Sequence, residues 1–304
     1  MILILAAAIG IGSNSLRMLV AEMDPADAQL QRVMRDRVGL RVFAALDENN
    51  VISSEMICEA EKCVGAFVDK ARAYSVDQIH LFATSAVRDA QNQKEFCDRI
   101  EKAVGIRPEV CTGTLEAKLS FLGATDDQPS GMIDIGGGST EIVMGQGERI
   151  DFSTSLQIGA VRLYQEMPIA NVAQAYHVVD YVRCLLNDRF HFSDGLTRSL
   201  AWVGVGGTFT TLSALIQNIP WSSKEHIHGF FIMKEALCHY MERLAPMDIT
   251  SRLMLPGLSP HRADIVVHGL AILLGCMETL GIQCIRASEF GNLEGYLKAR
   301  YLRK

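Results

Sequence analysis

No stretch of this chain stays apolar for the roughly 18 residues that a helix needs to cross a membrane. The apolar opening, Met1–Ile9, has no basic residue ahead of it, so it lacks the positive start of a secretory signal and reads as a first buried strand. Zinc-type pairs are missing too. The eight cysteines, at 58, 63, 97, 111, 184, 238, 276 and 284, form no C-x-x-C and have no histidine at ligand spacing. They are expected to be reduced core thiols of a cytoplasmic protein. Nor is there an excess of basic charge: the net charge of −6 disfavours nucleic-acid binding, although a few local arginines still suffice for an anionic substrate. Low-complexity runs and long linkers are absent. With 304 residues, 49% of them hydrophobic and 21% charged, the chain suits two globular domains.

What is present centres on Met132–Gly145: an apolar run, Asp134, the glycines Gly136, Gly137 and Gly138, then Ser139, Thr140, Glu141 and a second apolar run. Consecutive glycines suit a backbone that turns sharply, and their N–H groups can form a concave nest for phosphate oxygens. The flanking acids suit a hard divalent cation. A plain tight turn explains such a stretch equally well in isolation. The chain repeats it, however. Ile9–Val20 aligns without a gap on Ile133–Met144, with Ile, Ile, Gly and Ser coinciding and the apolar runs in step. Each copy reads as strand, small-residue turn, strand. At one position the copies part: Asp134 in the second is Gly10 in the first.

The remainder alternates short apolar strands with helical periods, which makes the fold α/β. Arg32, Arg35, Arg37 and Arg41 gather in one segment, either as a solvated strand edge or as a basic rim for a long polyanion. Ser53 is placed to cap a helix whose face would carry Met56, Ala60, Cys63, Phe67 and Ala71. The strand Gln78–Ala83 runs into Thr84, Ser85 and Arg88, the last able to grip phosphate bidentately. Asn92 is expected to cap the next helix, and Glu116 falls in the first turn of another. Helices are predicted over 169–190, 260–280 and 291–303, and Gly206-Gly207-Thr208 is a third glycine turn at a helix start. The polar Asp126–Ser130 marks the boundary between domains at 1–126 and 127–290, with the closing helix 291–304 a candidate to complete the first.

Several motifs together resemble the Ppx/GppA family of exopolyphosphatases and guanosine pentaphosphate phosphohydrolases. They are Gly12-Ser13-Asn14-Ser15, the run Ala83–Asn92, Asp134–Glu141, Gly159–Arg162, Gly204–Thr208 and Arg262–Ile265. The resemblance implies two ribonuclease-H-like domains of the actin-like ATPase superfamily with an interdomain active-site cleft, in the short two-domain form. It implies Mg2+-dependent release of terminal phosphate from polyphosphate or pppGpp, and a homodimer. Carried across, Glu116 is the catalytic glutamate. Gly12, Ser13, Asn14, Ser15, Arg88, Gly136, Gly137, Gly138 and Ser139 contact phosphate, and Asp134 and Glu141 lie at the metal. Two departures stand out. Gly10 occupies the place of the family's first-loop acid, and Leu115 the first of two adjacent glutamates. They motivate a competing expectation, a catalytically weakened polyphosphate or (p)ppGpp sensor. A kinase or ATPase of the same fold is a third.

Overall fold

The computed structural model describes residues 3–189, 197, 199–223 and 226–302. The chain divides into two compact units, Met1–Gly123 with Phe290–Lys304, and Ala124–Glu289.

In the first unit, β1 (Ile4–Ile11), β2 (Ser15–Asp24) and β3 (Gln29–Gly39) form an antiparallel meander, joined in parallel by β4 (Gln78–Ala83) and the two-residue β5 (Glu109–Val110). The sheet order is β3-β2-β1-β4-β5. β1 is buried on both faces, which is why it reads as an unbroken apolar run rather than an alternation. On one face Ala6, Ala8 and Phe82 meet Leu293, Tyr296 and Leu297 of the closing helix α11 (Asn292–Tyr301). α1 (Ser54–Ala73) packs against β1 and β2, and α2 (Ser85–Arg88), α3 (Gln93–Val104) and α4 (Gly113–Ala124) complete the unit.

The second unit repeats the plan. β6 (Ser130–Ile135), β7 (Thr140–Gln146) and β8 (Arg149–Leu156) form the meander, and β9 (Ala201–Val205) and β11 (Cys284–Ser288) extend it in parallel. The short antiparallel β10 (Phe231–Met233) closes the order β10-β11-β9-β6-β7-β8. Helices α5 (Ala160–Glu166), α6 (Val172–Arg189), α7 (Gly207–Gln217), α8 (Lys234–Leu244), α9 (Ile249–Leu253) and α10 (Val266–Leu280) enclose a core that includes Ile133, Phe209, Leu237 and Leu273. Among the described residues no helix is long and apolar enough to cross a membrane.

Several local expectations need correction. Ser53 does cap α1, accepting from Met56 N at 3.2 Å, a bond whose loss costs about 1 kcal/mol. The buried stripe of α1 is Ile57, Ala60, Val64, Phe67, Val68 and Ala71, however, so Met56 and Cys63 sit only at its margin. Asn92 makes no cap bond. Its amide instead pairs with both backbone groups of Ile52, at 2.9 Å each, as a strand neighbour would. The segment 260–280 is not one helix: Pro260–Arg262 forms a 3-10 turn, with Arg262 N bonded to Ser259 O and Ile265 N to Arg262 O, before α10 begins. Cysteines 97, 111 and 276 are buried as expected, whereas Cys184 is exposed and the other four are half-buried. Met1, Phe190 and Arg303, at the ends of predicted elements, lie outside the described residues.

Candidate active site

The two copies of the sequence repeat fold into the same turn. After β1, Gly12 N donates to Ser15 O at 3.1 Å, and after β6, Gly136 N donates to Ser139 O at 3.0 Å. In each unit a following segment then takes the loop carbonyls. Ser13 O accepts from Phe43 N at 3.0 Å and Asn14 O from Leu40 N at 3.3 Å. In the second unit Gly136 O accepts from Ala160 N, Gly137 O from Val161 N and Arg162 N, and Gly138 O from Arg162 Nε at 2.9 Å. A side chain at Gly159 would lie 2.3 Å from Gly137 O, so only glycine lets the start of α5 reach the loop. With carbonyls tied backwards, the amides of Ser13, Asn14, Gly137, Gly138 and Ser139 have no acceptor among the described residues. An array of such N–H groups is a nest for anionic oxygens. The Asn14 side chain is buried, and neither amide atom has a partner among the described residues.

Beside the first loop, Thr84 N bonds Ile11 O, fixing the end of β4 to that of β1. Ser85 Oγ then lies 2.6 Å from Ser13 Oγ. One turn later Arg88 Nη1 donates to Cys111 O at 3.0 Å and to Glu116 Oε2 at 2.9 Å, with its Nε 3.5 Å from Asp89. Glu116 stands in the first turn of α4, its N bonded to Thr112 O, and is 8% exposed. A carboxylate this buried needs its charge partner, and Arg88 is one. The same surroundings push the Cys111 thiol up to about 12, by burial first and then by the Glu116 charge, so it is inert as a nucleophile.

In the second unit Asp134 and Glu141 are register partners across β6 and β7, and Ser155 Oγ donates to Glu141 Oε1 at 2.7 Å. Directly opposed strand residues share one face of the sheet. Among the described residues no group of three or more His, Cys, Asp or Glu side chains could hold a metal. Asp134 and Glu141 are two neighbouring carboxylates. That fits Mg2+, which binds through one or two carboxylates and completes its octahedron with water and substrate phosphates.

Three features escaped the sequence reading. The first is the backing of the glycine loop by Arg162, which is visible only once Gly159–Arg162 is seen to fold against it. The second concerns Gly207 at the start of α7: a Cβ there would fall 1.7 Å from Arg262 Cζ, so this glycine admits a guanidinium. The third is the division of the arginine run. Arg32 lies 2.7 Å and Arg35 3.9 Å from the buried Glu294, and Arg32 stacks on the Phe290 ring at 3.6 Å. These two clamp α11. Arg37 instead stands opposite Arg17 in the β3–β2 register.

A family model described as the Ppx/GppA phosphatase family matches residues 19–303. Exopolyphosphatase 2 of Mycobacterium tuberculosis is 31% identical over 95% of this chain and 96% of its own length. The guanosine-5'-triphosphate,3'-diphosphate pyrophosphatase of Pseudoalteromonas translucida is 30% identical over 91% of this chain and 55% of its own length. The crystal structure of an exopolyphosphatase-like protein, 27% identical, superposes with a TM-score of 0.89 over 98% of both chains.

Proposed function

The chain belongs to the Ppx/GppA phosphatase family, and we propose that it releases terminal orthophosphate from linear polyphosphate, and from pppGpp, by attack of a water held at Glu116. It is a hydrolase of acid anhydrides. The observation that carries the residue assignment is the buried contact of Glu116 with Arg88 at 2.9 Å, in the same unit as the Ser13 loop, whose amides have no acceptor among the described residues.

Cleaving a phosphoanhydride requires mainly positioning and charge neutralisation. The Glu116 carboxylate accepts a proton from the water as its oxygen bonds to the terminal phosphorus, and the bridging P–O bond breaks towards the remaining chain. Arg88 opposes the charge on the terminal phosphoryl oxygens, and the amides of Ser13 and Asn14 in the same unit donate to phosphate oxygens without reorganising; in the second unit the amides of Gly137, Gly138 and Ser139 form a nest of the same kind for an anionic group. Ser13, Ser15 and the unpartnered Asn14 amide add donors, and Gly12 and Gly136 keep both turns closed. Asp134 and Glu141 would hold a divalent cation, whose charge offsets that of the phosphate chain.

The absent acid at Gly10 favours a second reading, a binding protein with little turnover. One assay separates the two: phosphate release from long polyphosphate and from pppGpp, each with and without Mg2+. Metal-dependent release is expected from at least one. Glu116→Gln should lower kcat by about a hundredfold or more with KM little changed. Full activity in that variant would refute the base assignment, and no release from either substrate would favour the sensor.

A further inference from the structure

Within the first unit, the helix that carries Glu116 meets the closing helix backbone to backbone. A Cβ on Gly295 of α11 would lie 1.8 Å from Leu119 O of α4, and one on Gly123 of α4 would lie 1.8 Å from Gly291 O. Neither Gly123 nor Gly295 is among the glycines with positive φ, so both are there for space and not for turning. Leu115, Leu119 and Gly123 follow one another at i, i+4 spacing, which sets them on one stripe of α4. The two leucines of that stripe pack into the cluster that holds Leu293, Tyr296 and Leu297 of α11. Glu116 stands next to the stripe, in the first turn of the same helix.

Of the two helices, α11 is the more firmly anchored, because it is tied to four strands. Asn292 Oδ1 accepts from Arg17 Nη2 at 3.2 Å, and Glu294 lies 2.7 Å from Arg32. The Tyr296 ring stacks on Phe82 at 4.6 Å, and its hydroxyl donates to Glu109 Oε2 at 2.6 Å. α4 is tied at its head, where Glu116 N bonds Thr112 O and Leu115 N bonds Thr112 Oγ1. At its tail Leu122 O accepts from Lys298 Nζ of α11 at 3.0 Å. An atom added at the crossing therefore tips α4 about Thr112. A Cβ at 295 has to retreat from 1.8 Å to about 3.3 Å from the Leu119 oxygen. Glu116 is four residues from the hinge and Leu119 seven, so Glu116 moves by about half as far. That exceeds the roughly 0.5 Å within which a catalytic group has to be held.

We propose that Gly295 and Gly123 are positioning residues for the reaction: their backbone contact sets where α4 lies and so keeps Glu116 on Arg88. This rests on the assignment of Glu116 as the base.

The test is a double-mutant cycle on kcat in the full-length protein, between Gly295→Ala and Glu116→Gln, with melting temperatures alongside. Gly295→Ala should lower kcat about tenfold or more, the scale of a misplacement approaching 1 Å, with KM little changed. In the Glu116→Gln background the same substitution should change the residual kcat less than about twofold, because the group it misplaces is already gone. Equal losses in both backgrounds would show a general structural role and overturn the proposal, as would a parental kcat in a folded Gly295→Ala. Gly65→Ala on α1 is the control, since a Cβ there meets nothing within 4 Å and kcat should stay parental. A comparable loss in the control would count against the crossing. If Gly295→Ala does not fold, Lys298→Met takes its place. Losing the bond to Leu122 O should lower kcat in the same Glu116-dependent manner, and an unchanged kcat would overturn the proposal. The two readings fail separately. Full activity in Glu116→Gln removes the base and this proposal with it; a large loss in Glu116→Gln together with an additive cycle counts against the present proposal alone.

Discussion

His268 shows how one buried side chain sets the response of the second unit to acid. Its Nε2 donates to Met167 O at 3.0 Å, its Nδ1 has no partner among the described residues, and Tyr164 packs edge-on at 5.5 Å. Burial, and the nearby Arg252, hold its pKa down to about 4, against the raising effects of the Met167 bond and Asp264. The folded value lies below the unfolded one, near 6.5, so the unfolded chain binds more protons in between. Its contribution is therefore full above about pH 6.5 and is lost as pH falls towards about 4, by up to about 3 kcal/mol. Denaturant titrations across that range should show the loss, and His268→Gln should flatten it. A parent curve as flat as that of the variant would remove His268 from the account. At this scale the sequence was least informative. Arg88 and Glu116 could be nominated from their motifs, but their 2.9 Å contact joins residues 28 apart and depends on how α2 and α4 are placed. Asn92 had the composition of a cap, yet the backbone of Ile52, 40 residues away, captured its amide.

At the scale of elements, β3 separates two uses of arginine. Glu294 is buried against Arg32 and also accepts from Gly291 N at the head of α11. Removing Arg32 takes away the nearer of the two cations at a buried carboxylate and leaves Arg35 at 3.9 Å as its partner. Arg32→Ala should therefore lower the melting temperature. Arg37 faces Arg17, and like charges directly opposed on a sheet destabilise it unless an anion intervenes. Arg37→Ala should then raise KM for long polyphosphate more than for tripolyphosphate, with high salt erasing the difference. Equal effects on both lengths would make Arg37 a solvated edge residue, and an unchanged melting temperature in Arg32→Ala would remove the clamp. The opposite pattern is seen in α9, where Arg252 donates to the carbonyls of Leu244, Ala245 and Ala263. Nothing in an arginine's own sequence neighbourhood tells these uses apart.

For the molecule as a whole, the cation assignment carries a thermodynamic signature. A site of two carboxylates is not a structural cage of the kind whose metal holds a fold together. Chelation with EDTA should therefore abolish phosphate release while leaving the melting temperature of the substrate-free protein nearly unchanged. A large fall in melting temperature would mean that the metal is structural.

The sequence by itself determined the α/β class, the duplicated hairpin and the small-residue turns that join its strands. Those signals are local: strand alternation, glycine at a turn and a repeat aligned without gaps are written in neighbouring residues. Tertiary structure decided what each loop is braced by. The carbonyls of Gly136, Gly137 and Gly138 are held by Ala160–Arg162, and those of Ser13 and Asn14 by Leu40 and Phe43, so the set of each loop depends on distant chain. It also decided the meaning of Gly10. In the sequence that glycine is only a missing acid; in the fold it is the space that the Phe82 ring and Leu293 require. Steric exclusion acts between residues that share a volume, and which residues share it is settled only when the sheet and the closing helix have packed.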